Sequence, residues 1–113
     1  MSTDSQDSLP REPSAWRPGN HFGQKFKDAD RHLDGEIVRG CIERGAAKKV
    51  NRGVYQVRET FGGVTFCLAL DAAEGELITG YPDAIDVDVA RESGRWSPQQ
   101  IRDIETFIAN DPR

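Results

Sequence analysis

The sequence predicts an α+β domain. Two N-terminal helices precede an antiparallel meander of three or four strands, and a C-terminal helix packs on one sheet face. Three observations carry this expectation. Two alternating segments flank Gly62-Gly63, and each places its apolar residues on the same side. Apolar residues ahead of them recur at helical spacing, with Phe22, Phe26, Ala29 and Leu33 in one run and Ile37, Val38, Cys41 and Ile42 in the next. Near the end, Ser97-Pro98-Gln99-Gln100 is a capping box with proline at the first helical position.

Taken in order, residues 1–18 are rich in Ser, Asp, Pro, Arg and Gln, with Leu9 and Trp16 the only anchors, and are expected to be a disordered arm. Residues 19–113 are expected to be one domain. Its first helix spans Asn20–Leu33 with Asn20 as N-cap. The row His21, Lys25, Asp28 and His32 runs along the edge of its apolar stripe. Asp34 is the expected N-cap of a second helix, Gly35–Arg44, and Gly45 its left-handed C-terminal residue. A basic connection, Ala46–Gly53, leads to the sheet.

The strands are expected at Val54–Phe61, Val64–Leu70 and Glu76–Tyr81. With Gly62-Gly63 as the whole loop, Phe61 faces Val64, Val57 faces Leu68 and Tyr55 faces Leu70. Glu59 is the one misfit on the apolar face. The other face carries Gln56, Arg58, Thr60, Thr65, Cys67 and Ala69. A five-residue turn, Asp71–Gly75, would set Thr79 beside Cys67 and Tyr81 beside Thr65, but a bulge there changes which face they take. Pro82 is expected to end the third strand, and alternation at Ile85–Val89 suggests a short fourth one. Trp96 is placed to staple onto Ile101 at the start of the last helix, whose apolar side is Ile101, Ile104, Phe107 and Ile108.

The chain has 113 residues, 30% charged and 36% hydrophobic, with a net charge of −4. That balance argues against a globally basic nucleic-acid binder and leaves local phosphate contacts open. No apolar run approaches the ~20 residues of a membrane span, and residues 1–18 lack the apolar stretch of a secretory signal, so a cytoplasmic protein is expected. Cys41 and Cys67 fit small buried hydrophobes in a reducing compartment. His21, His32, Cys41 and Cys67 have no paired ligand spacing, so neither metal nor cofactor is expected. Arg39, Arg44, Lys48, Lys49, Arg52 and Arg58 form the one positive region. It reads either as a solvated helix end and turn or as a phosphate-contacting patch in which Lys48, Lys49 and Arg52 bind nucleic acid.

His21 near the start of the first helix, Gly45 closing the second and Thr79-Gly80-Tyr81 ending the third strand, with the basic stretch between helices and meander, resemble the RelE-like branch of the barnase/RelE/colicin-type ribonuclease superfamily. The resemblance spans about His21 to Pro82. It implies a metal-independent endoribonuclease working on one sheet face, often a toxin, with RNA as substrate and an antitoxin-like protein as possible partner. Such cleavage needs a base for the ribose 2′-OH, an acid for the leaving 5′-oxygen, and cations for the transition state. The candidates are His21 as base or acid, Lys25 and Arg58 as cations, Thr79 as a phosphate hydrogen-bonder, and Tyr81 as proton donor or stacking ring. Ordinary roles stand beside these: a helix-start His, a solvated Lys, an Arg paired with a nearby acid such as Asp28, and a Tyr on the core rim. The alternative function is a non-catalytic module that holds a protein or nucleic acid on the same face.

Overall fold

The computed structural model describes residues 9–19 and 31–110. Over these residues it is an α+β fold with one mixed five-stranded sheet and three α-helices. After a 3₁₀ turn at Pro13–Ala15 come β1 (Arg17–Pro18), α1 (Gly35–Arg44), β2 (Ala46–Asn51), β3 (Val54–Phe61), β4 (Val64–Asp71), β5 (Glu76–Ile85), α2 (Val87–Ser93) and α3 (Pro98–Asn110). The sheet order is β1-β5-β4-β3-β2, antiparallel except where β1 pairs with β5. Among the described residues, no helix is long and apolar enough to cross a membrane.

The β3–β4 hairpin has the predicted register throughout, including Phe61↔Val64, Val57↔Leu68 and Tyr55↔Leu70. Gly62 and Gly63 have φ of 54° and 82°, the paired positive values of a type I′ turn. The apolar side of the sheet is covered by α1 over β3 and β4 and by α3 over β5. Ile37, Cys41 and Ile42 of α1, and Ile101 and Ile104 of α3, join Val57, Phe66, Leu68 and Leu70 in one buried cluster. The misfit Glu59 is resolved on this face by Arg44, in the last turn of α1, whose Nε donates to it at 3.1 Å.

Local signals place the starts of α1 and α3. The Asp34 carboxylate accepts from the Ile37 backbone N–H at 2.9 Å. Ser97 and Gln100 bond reciprocally at 3.1 and 2.9 Å. Trp96 is buried there, with its ring 5.9 Å from that of Phe66.

Several expectations are corrected. Gly45 is extended (φ −66°, ψ 146°), not left-handed. Glycine is required there for space, because a Cβ would lie 2.4 Å from the Cys41 carbonyl oxygen and 3.1 Å from Val57. The basic connection is β2, an edge strand antiparallel to β3. The third strand runs past Pro82 to Ile85. Pro82 pairs with Phe66 at a bulge, where β1 no longer flanks β5, so its missing N–H is tolerated. The expected fourth strand is instead α2, because the Asp86 carboxylate caps it at Val89 N (3.2 Å). The predicted first helix falls on residues 20–30, outside the described residues, while His32 (φ 53°) and Leu33 lead into α1 without helix. Of the expected arm, residues 1–8 lie outside the described residues. Leu9 and Trp16 are buried against the domain, and Arg11 donates to the Gly45 carbonyl at 2.7 Å.

Candidate functional site

The site question turns on which face of β5 carries Thr79 and Tyr81. The turn after β4 is one residue tighter than predicted: Asp71 pairs with Glu76, and its carboxylate holds the Ala73 and Glu74 amides at 3.0 and 3.1 Å. Continued unbroken, that register would send Thr79 to the apolar face. A bulge intervenes between the Leu70↔Leu77 and Ala69↔Thr79 pairs, leaving Ile78 as the extra residue. Thr79 therefore lies beside Ala69, and Tyr81 beside Cys67. Each is displaced two residues from its expected partner and remains on the expected face.

One cross-strand row results, Arg58↔Cys67↔Tyr81, spanning β3, β4 and β5. The three strand-borne candidates, Arg58, Thr79 and Tyr81, thus share one face. Tyr81 is 9% exposed, which leaves little ring surface for stacking. His21 and Lys25 lie outside the described residues.

Asp83, two residues past Tyr81, lies on the same face, as the extra residue of a second bulge between the Thr65↔Ala84 and Phe66↔Pro82 pairs. There the Arg58 Nε donates to Asp83 Oδ2 at 2.9 Å, with the two side chains 33% and 22% exposed. This hydrogen bond is the main cause raising the Arg58 pKa above its ordinary value, against the opposing effect of burial. The proximity of Asp83 to Arg58, 25 residues away in the chain, depends on how β5 pairs with β4, for which no local signal exists. Nε is the single guanidinium nitrogen engaged among the described residues, so Nη1 and Nη2 keep their donors.

The basic stretch is divided between the two faces of the sheet. Alternation along β2 places Lys48 opposite Gln56, on the face of Arg58. Lys49 stands opposite Tyr55, on the helix-covered face. Arg52 sits in the β2–β3 turn, where its N–H donates to the Asn51 side chain at 3.0 Å.

Beyond Arg58 towards the hairpin turn, the Thr60 and Thr65 hydroxyls meet at 2.7 Å. They border a recess of about 390 Å³ that Gly63, Ala84, Ile85 and Val89 complete. On the opposite side of the molecule, His32 was missed as a structural residue. Its Nε2 lies 3.0 Å from Asp103 Oδ2, while Gln99 donates to Asp103 Oδ1 at 2.8 Å. Neighbouring Arg31 donates to the Gly80 carbonyl (2.8 Å) and lies over the Phe107 ring (4.8 Å), fastening α3 to β5. Cys41 and Cys67 form no disulfide and are buried on opposite sides of the sheet, and burial pushes the Cys41 thiol up to about 12. No group of three or more His, Cys, Asp and Glu side chains suited to a metal gathers among the described residues. Comparison with protein-family models, with curated proteins and with solved structures finds no match.

Proposed function

We propose that the polar sheet face acts on RNA as a metal-independent endoribonuclease of the RelE-like kind. The observation that carries this reading is the Arg58↔Cys67↔Tyr81 row, with Thr79 one strand pair away on the same face. In the proposed reaction the ribose 2′-oxygen attacks the adjacent phosphorus and loses its proton to a base. The P–O5′ bond breaks, the 5′-oxygen takes up a proton, and a 2′,3′-cyclic phosphate is left on the upstream fragment. His21 is assigned the base role. Arg58, oriented by Asp83, offers Nη1 and Nη2 to the non-bridging phosphate oxygens. Tyr81, enclosed rather than stacked, suits proton donation to the 5′-oxygen, and Thr79 a hydrogen bond to phosphate. Lys25 and Lys48 add positive charge.

The test is incubation of the full chain with a 5′-labelled RNA oligonucleotide in EDTA. The expected result is cleavage to cyclic-phosphate ends, abolished by a 2′-deoxy substitution at the scissile residue. Arg58→Ala or His21→Ala should lower the rate at least ~100-fold, the scale of removing one transition-state donor. No cleavage of any RNA, or equal cleavage by Arg58→Ala, overturns the reading.

The Arg58–Asp83 pair favours a second reading. A carboxylate already neutralises the central cation of this face, as suits a non-catalytic module that holds RNA or an antitoxin-like protein. RNA retained without turnover, with affinity falling steeply with salt, would select that module with RNA as its partner.

A further inference from the structure

We propose that the recess at the hairpin end of the polar face receives one unstacked nucleobase of an RNA strand, an inference that rests on the RNA reading above. A strand whose phosphate meets Arg58 must place its neighbouring bases somewhere. Tyr81, 9% exposed, gives them no platform. The recess of about 390 Å³ does. Thr60 is two residues beyond Arg58 on the same face of β3, ~7 Å along the strand. That separation is comparable to the distance between a base and its own phosphate.

The walls are apolar where a base needs a flat contact. Val89 is 46% exposed, one of three exposed large hydrophobics among the described residues, and it borders this recess with Ala84 and Ile85. The polar side is the Thr60–Thr65 pair. One hydroxyl donates to the other at 2.7 Å, so one proton and several lone pairs remain for a base edge. The Asp86 carboxylate also lines the recess, turned to the α2 amide of Val89. Its negative charge disfavours a phosphate there and leaves a neutral base as the occupant.

The recess is preformed. Asp86 N–H donates to the Gly63 carbonyl at 2.8 Å, which pins the start of α2 on the hairpin turn. Gly63 permits that approach, since a Cβ there would lie 2.7 Å from Ala90 N.

The experiment is methyl NMR of the full chain, following Thr60, Thr65 and Val89 while AMP, CMP, GMP, UMP or ribose 5-phosphate is added. At least one nucleotide is expected to shift all three methyls saturably, whereas ribose 5-phosphate, which lacks a base, leaves them unmoved. The isosteric Thr60→Val/Thr65→Val variant should weaken that nucleotide about tenfold. Val89→Thr, which keeps volume but wets the wall, should weaken it without affecting the hydroxyl pair. The proposal is overturned if no nucleotide moves these methyls, or if ribose 5-phosphate moves them equally. RNA cleavage that needs Arg58 while the recess stays silent removes the base site alone. Nucleotide binding in the recess without any cleavage removes the catalytic reading alone.

Discussion

Replacing Asp83 with alanine separates two accounts of the polar face. Unit charges about 4 Å apart at an effective dielectric of ~20 attract by ~4 kcal/mol before desolvation and side-chain ordering are subtracted. Exposed pairs retain 0–1 kcal/mol, and hydrogen bonds to charged groups ~1.5–3. With Nε and Oδ2 2.9 Å apart and the side chains 33% and 22% exposed, the Arg58–Asp83 pair belongs between those limits, at about 1–2 kcal/mol of coupling. A urea-unfolding cycle over Arg58→Ala, Asp83→Ala and the double variant isolates that coupling from the other contacts of either residue. The functional consequence has a sign that charge alone does not produce. Removing a carboxylate makes a protein of net charge −4 less negative, so bulk electrostatics predicts tighter RNA binding. If Asp83 holds the guanidinium in place, Asp83→Ala instead weakens RNA cleavage and binding, and Asp83→Asn, which can still accept from Nε, recovers part of both. Coupling below ~0.3 kcal/mol, or tighter RNA binding by Asp83→Ala, would refute the positioning argument.

Three further outcomes follow from the geometry. Gly45→Ala places a Cβ 2.4 Å from the Cys41 carbonyl and should cost at least ~1–3 kcal/mol in thermal unfolding, whereas Gly35→Ala, with nothing within 4 Å, should gain ~0.5–1. Hydrogen bonds from His32 and then Gln99 hold the Asp103 carboxyl below its ordinary pKa, so this group stabilises the fold above the unfolded value and loses that contribution as pH falls through the folded one. Asp103→Asn should therefore unfold more easily than wild type near neutral pH, with the gap closing below pH ~4; a gap that persists at low pH contradicts the assignment. Cys41, fully buried and with its thiol pushed up to about 12, should react with a disulfide reagent at neutral pH only as fast as the domain unfolds, and immediate labelling would refute its burial.

The sequence by itself determined the β3–β4 register, the division into one apolar and one polar face, and the starts of α1 and α3. These depend on two-residue alternation, a glycine pair and caps such as Asp34 and Ser97, all complete within a few residues of chain. It also named Arg58, Thr79 and Tyr81 as residues of one face. Only the tertiary structure decided that they share it. The tighter turn at Asp71 would have reversed Thr79, and the bulge at Ile78 restored it, a balance struck by how β5 docks on β4. Docking also made Ala46–Asn51 an edge strand, dividing Lys48 from Lys49, and turned the alternating Val87–Val89 segment into a helix closing a recess over Gly63. Asp83 meets Arg58 for the same reason. Strand pairing and bulges bring together residues far apart in the chain, and their partners carry no mark in the local pattern.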